Sequence, residues 1–122
     1  MRISLDLDPE ILTVSRYAPG TIEVAGRELH SPCIVSPAQL ISEWNVSAAA
    51  ELQLADLDPL LALQPSIVLI GAGASAPGYG RALRRALESR GIAFEAMDLG
   101  AACRTYNVLA QERREVVAGL IL

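Results

Sequence analysis

At 122 residues the chain is the length of one domain, and 52% hydrophobic residues supply ample material for a core, which excludes a disordered chain. A formal net charge of −4 removes any general electrostatic drive toward nucleic acid, so no nucleic-acid partner is expected. The charge is uneven: residues 1–66 hold nine acids against three arginines, and residues 67–122 hold five acids against seven arginines. All ten basic residues are Arg. With Ala and Leu abundant, a GC-rich genome accounts for that preference better than phosphate recognition does.

The longest apolar stretches, Ile67 to Ala74 and Val116 to Leu122, fall far short of the roughly 20 residues of a membrane span. Asp6, Asp8 and Glu10 stand where a basic, apolar leader would be. A soluble, cytoplasmic protein without membrane insertion is expected. Cys33, Cys103 and His30 are the whole Cys and His supply, three ligands where a zinc site built from them needs four. No metal and no cofactor is expected, and residues 1–122 read as a single domain without repeat or linker.

The first third is β-rich. Leu12 to Tyr17 alternates, Pro19-Gly20 supplies a turn, Thr21 to Val24 resumes the strand, and Ala25-Gly26 reverses it into Arg27-Glu28-Leu29. Cys33 to Ser36 and Leu40 to Trp44 are two further short strands on either side of Pro37. Asp56 to Leu63 predicts a short helix, with Asp58 at the N-cap and Pro59 at the first helical position. Ile67 to Ile70 is a continuous apolar run, the mark of a strand buried on both faces, and Gly71-Ala72-Gly73 ends it. A helix is predicted from about Gly78 to Arg90, with Ala82, Leu83, Ala86 and Leu87 on one side. Arg81, Arg84, Arg85 and Glu88 lie on the other, Arg84 and Glu88 at i,i+4, and Gly91 stops the helix. Ile92 to Met97 is the next strand, Ala101 to Gln111 the next helix and Val116 to Leu122 the last strand. This βαβαβ order implies right-handed crossovers and parallel neighbours in an α/β fold.

Ligands of such sheets sit beyond the carboxyl ends of the parallel strands. Two segments fall there: Gly71-Ala72-Gly73, and Asp98-Leu99-Gly100 leading into Cys103, Arg104, Thr105, Tyr106 and Asn107. Gly71 to Ala76 approaches the dinucleotide fingerprint G-x-G-x-x-G/A, with Ala76 in the third place, but the acidic Asp98 follows Gly73 by 25 residues and the helix starts late, after Pro77. A strand-to-helix turn that needs small residues is the simpler reading of the segment. At about 100° per residue, Cys103, Tyr106 and Asn107 share one helix face and Arg104 flanks it. A thiol near a helix N-terminus can have a lowered pKa, which would make Cys103 a nucleophile with His30 as the base it must recruit. The simpler reading is a small, half-buried thiol packing the helix onto the sheet, with no catalytic residue expected. Arg104, Tyr106 and Asn107 suit a binding surface or internal bracing. Asp98 suits a helix cap, and Trp44 suits the core or an interface anchor.

The run Met97-Asp98-Leu99-Gly100-Ala101-Ala102-Cys103-Arg104-Thr105-Tyr106-Asn107-Val108-Leu109 resembles the signature of the family of the mitochondrial NADH dehydrogenase (complex I) assembly factor 3 and the adipogenesis-associated Mth-domain proteins. Gly20 to Gly26, Trp44-Asn45-Val46, Ile70 to Gly73 and Gly91-Ile92 match in order, so the resemblance spans essentially the whole chain. It implies a three-layer α/β fold with a central mixed, mostly parallel sheet and an additional N-terminal β element. It also implies a non-enzymatic interaction or assembly role with an unidentified protein partner. The family motif falls here on Asp98, Gly100, Cys103, Arg104, Tyr106 and Asn107, and with Gly71 and Gly73 these are the expected binding residues. Two departures are Ala72 and Leu99, where members often have Thr, and the import sequence of the mitochondrial members is not seen. The alternative function is a small-molecule or anion binder, or an enzyme, using the crevice between residues 71–73 and 98–107.

Overall fold

The computed structural model describes residues 10–73 and 80–122. The chain forms two sheets. Strands β1 (Val14–Ala18), β2 (Thr21–Val24) and β3 (Arg27–Leu29) make an antiparallel meander. The five-stranded main sheet contains β4 (Cys33–Val35), β5 (Leu40–Ile41), β6 (Ile67–Ala72), β7 (Ala93–Met97) and β8 (Val116–Ile121), in the order β5-β4-β8-β6-β7. The three strands of the second half are mutually parallel, and β4 and β5 are antiparallel to their neighbours. The sheet is therefore mixed, with its N-terminal edge contributed by the first third of the chain.

Local chemistry accounts for the turns. Ala18 pairs with Thr21 across Pro19-Gly20, where Gly20 takes the positive φ (77°) of a type II turn after proline. Ala25 and Gly26 both have positive φ (50° and 78°), the two-residue loop that matches strand twist. Helix α1 (Asp58–Leu61) is shorter than the sequence suggests, because a 3-10 turn over Leu54–Leu57 precedes it. The carboxylate that caps this entry is Asp56, which accepts from the Gln53 N–H at 2.8 Å; the predicted cap Asp58 lies inside the first turn of α1 instead. The strand predicted over Leu40 to Trp44 stops at Ile41, since the chain turns inward to bury Trp44.

Helix α2 (Arg81–Glu88) is described from Arg81, so the predicted start at Gly78 lies outside the described residues, as does Ala76 of the glycine-rich segment. It closes on a Schellman pair, Gly91 N–H to Glu88 and Ile92 N–H to Leu87, with Gly91 at φ 76° as expected. Arg84 pairs not only with Glu88 (3.9 Å) but also with Glu95 of β7 (3.1 Å). Helix α3 (Leu99–Gln111) ends in the same pattern with Arg113 at φ 60° in the position that glycine usually fills.

Strand order explains where the helices lie. The chain moves from β6 outward to β7, then back past β6 to β8, so right-handed crossovers place α2 and α3 on opposite faces. Two apolar clusters result. One joins Val14, Ile22 and Val24 of the meander to α3 and to Leu69, Ala118 and Leu120 of the sheet. The other joins Leu83 and Leu87 of α2 with Trp44, Leu57 and Leu60 to Val68, Ile70 and Val117.

Trp44 is 5% exposed, and its indole N–H donates to the Asp56 carbonyl at 2.9 Å. It is a core residue, and its ring lies on Gly119, where an added Cβ would come within 2.7–2.8 Å of ring carbons. Gly119→Ala is therefore expected to destabilise the fold by about 1–3 kcal/mol, as overpacking does. Urea unfolding followed by Trp44 fluorescence would show a lower midpoint at unchanged slope.

Candidate functional site

The two segments singled out in the sequence do meet. Gly71 lies near the end of β6 against the first turn of α3, where an added Cβ would collide with the Ala102 side chain and approach Leu120. That missing methyl group lets the helix sit close to the central strand. Asp98 is the N-cap of α3: its Oδ1 accepts from the Ala101 N–H at 2.8 Å, and its extended φ and ψ (−68°, 164°) turn the chain into the helix. Leu99 N–H reaches the Gly73 carbonyl at 3.4 Å, which links the two loops directly.

The helix face expected to carry chemistry turns inward. Asn107 is 0% exposed; its Oδ1 accepts from Val14 N–H at 2.9 Å and its Nδ2 donates to Val14 C=O at 2.8 Å. The side-chain amide thus occupies the place of a neighbouring strand beside β1. One residue earlier, the Tyr106 hydroxyl donates to the Leu12 carbonyl at 2.8 Å, and burial raises its pKa. Cys103 is fully buried in the same cluster as Cys33. Burial pushes both thiols up to about 12; for Cys103 the nearby Cys33 adds to the rise and Arg104 opposes it. The lowered pKa suggested by its position near a helix N-terminus is reversed, because desolvation of the thiolate outweighs the helix and the guanidinium. His30 is exposed and pairs with Glu28 at 3.1 Å, so it offers Cys103 no base.

Arg104 alone of the reactive run turns to the surface. Its guanidinium donates to the Tyr17 hydroxyl and lies 5.8 Å from the centre of the Tyr17 ring. No carboxylate of the described residues pairs with it. Tyr17 in turn rests on Gly100, where an added Cβ would come within 2.8 Å of a ring carbon. Tyr17 was absent from the expected site. The period-two pattern of β1 placed it on a strand, but nothing in the sequence joined that strand to α3, 87 positions away.

Beside this rim lies a groove of about 520 Å³. The β1–β2 turn from Tyr17 to Gly20 forms one wall, Leu99, Gly100 and Gly73 another, and Leu122 the end. Of the eight expected residues, Gly73 and Gly100 line the groove, Asp98 is exposed beside it and Arg104 forms the rim. Gly71, Cys103, Tyr106 and Asn107 are not part of its lining and lie buried in the packing of α3 against the sheet and the meander. Among the described residues no group of three His, Cys, Asp or Glu could hold a metal, and no helix is long and apolar enough to cross a membrane.

Fold and site together define a small α/β domain in which a β-meander is strapped onto a crossover helix beside a surface groove. The chain belongs to the family described as "Protein of unknown function (DUF498/DUF598)", whose model matches residues 14–121. It is similar to NADH dehydrogenase [ubiquinone] 1 alpha subcomplex assembly factor 3 of Danio rerio, with 32% identity over 107 residues, 86% of this chain and 61% of the relative. The chain thus spans about three-fifths of that relative's length. Among solved structures, an NMR structure from Xanthomonas campestris aligns with a TM-score of 0.81 and 33% identity, covering 98% of this chain and 92% of that one. A solution structure from Bordetella pertussis, titled an Mth938-like domain, aligns with a TM-score of 0.74 and 26% identity over 99% and 92% of the two chains.

Asn107→Ala would orphan a buried N–H and C=O of Val14 together, and a loss of about 2–5 kcal/mol is expected from the usual cost of such groups. Tyr106→Phe, which frees one carbonyl, should cost about 1 kcal/mol; urea midpoints of the two variants test the order. The thiols predict a pH dependence. Their folded pKa values of about 12 lie above the ordinary 9, so their contribution is complete below pH 9 and is lost as pH rises toward 12. Stability measured from pH 8 to 11 should fall above 9, and a thiol reagent at pH 8 should label Cys33 and Cys103 only in denaturant.

Proposed function

We propose that this protein is a non-enzymatic interaction protein that assists assembly of a larger complex, using the Tyr17–Arg104 rim and the groove beside it. The observation that carries the reading is Arg104: an exposed guanidinium, oriented on an aromatic ring, with no carboxylate of the described residues to satisfy it. Arg and Tyr are the residues that interfaces favour. Val108, one turn further along α3, is 52% exposed, the single large hydrophobic exposed among the described residues. The likeness to a relative named as an assembly factor supports the same reading and a protein as the class of partner. Of the expected binding residues, Gly73, Asp98, Gly100 and Arg104 make contact, while Gly71, Cys103, Tyr106 and Asn107 hold the surface in shape. The protein acts in the cytoplasm, with no membrane insertion and no nucleic-acid partner.

The groove favours a second reading, a small-molecule or anion binder, or an enzyme, working between residues 71–73 and 98–107. One experiment separates the two. Cross-linked affinity capture from the native cell should recover a reproducible protein partner with wild type and lose it with Arg104→Gln, whose fold circular dichroism verifies. The same partner set with both proteins would overturn the rim assignment. An empty capture, followed by a metabolite that raises the melting temperature, would establish the second reading instead.

A further inference from the structure

The groove and rim together specify the chemistry of what they receive. Ala18, Pro19, Leu99 and Leu122 make the groove largely apolar, and its volume of about 520 Å³ exceeds the space one aliphatic side chain fills. Arg104 lies against the Tyr17 ring, which itself lines the groove. One of its N–H groups donates to the Tyr17 hydroxyl, which leaves the other donors of the fork for a carboxylate. The cation–π contact and the hydrogen bond to the Tyr17 hydroxyl together restrict the guanidinium and lower the entropy lost when an ion pair forms. The unmet charge is positive, so the complementary group is an acid.

We propose that the groove docks a protein segment in which an apolar side chain enters beside Leu99 and Leu122 and a neighbouring Asp or Glu pairs with Arg104. The choice of a protein segment over a free amphiphile of the same chemistry rests on the assembly reading above. The apolar side chain contributes burial, and the carboxylate sets register along the rim. Gly73 offers a way to close the groove: a Cβ there meets no atom of the described residues within 4 Å, and its φ lies outside the left-handed range.

The test is an NMR titration of the isotopically labelled full chain with three probes. They are a capped pentapeptide with leucine at its centre flanked by glutamates, its glutamine counterpart, and octanoate. The glutamate peptide should shift the Gly73, Gly100 and Leu122 amides and the Arg104 Nε–H. Affinity should fall about tenfold or more for the glutamine peptide and, equally, for Arg104→Gln, as loss of a charge-assisted hydrogen bond does. Gly73→Leu should weaken binding of the glutamate peptide while leaving the remaining spectrum unchanged. Shifts confined to other surfaces, equal binding of the two peptides, or binding of octanoate alone would each overturn the proposal. An Arg104-dependent partner recovered by affinity capture, with no peptide binding here, would remove this inference and leave the assembly reading standing. Peptide binding without any captured partner would do the reverse.

Discussion

The pairing of the Asn107 amide with the backbone of Val14 is the contact on which the architecture turns. Among the described residues the meander and the main sheet share no strand pairing, and α3 packs against both. A helix cannot extend a ladder with its own backbone, because its N–H and C=O groups are already spent. Asn107 solves this by presenting one donor and one acceptor in the spacing of a peptide group, so that the edge of β1 finds a partner. Tyr106 does the same for the Leu12 carbonyl. The start of an edge strand that would otherwise invite pairing with another chain is thereby covered.

That strap only works if α3 lies close to the sheet, and two glycines set the distances. Gly71 admits the helix to β6, and Gly100 admits Tyr17 to the helix. A side chain at Gly71 would push α3 away from β6, and one at Gly100 would displace the Tyr17 ring and with it the rim. The groove is therefore a product of packing: its walls come from a turn of one sheet, the end of another and the first turn of the helix between them. Arg104 gains its orientation from the same geometry, since its partner Tyr17 belongs to the strapped element.

Burial also decides the chemistry that this helix end does not perform. A surface helix N-terminus stabilises an anion by roughly 0.3–1 kcal/mol, whereas an ion taken into the core costs several. Cys103 lies on the core side of that balance, so it remains a thiol. The polar residues that look reactive in the sequence are for the most part satisfied within the chain, and the surface chemistry narrows to one arginine and the ring beneath it.

Much of this was legible in the sequence because the signals were local. The apolar run Ile67 to Ile70 announced a strand buried on both faces, the Leu83 and Leu87 stripe an amphipathic helix, and Ala25-Gly26 a hairpin. Asp98 followed by a helical pattern marked the N-cap that the structure has. Strand–helix alternation was enough for the parallel half of the sheet, since the crossover rule leaves few alternatives. What local pattern could not supply was contact between positions far apart. Leu40 to Trp44 reads as a strand until a glycine in β8 offers the indole a place to go. Asn107 reads equally as ligand or brace until Val14, 93 positions earlier, lies against it. The sequence by itself determined the elements, their order and the family signature, because these depend on neighbours along the chain. Only the tertiary structure decided which polar groups spend their hydrogen bonds inside and which remain for a partner, because that depends on what the fold brings opposite each one.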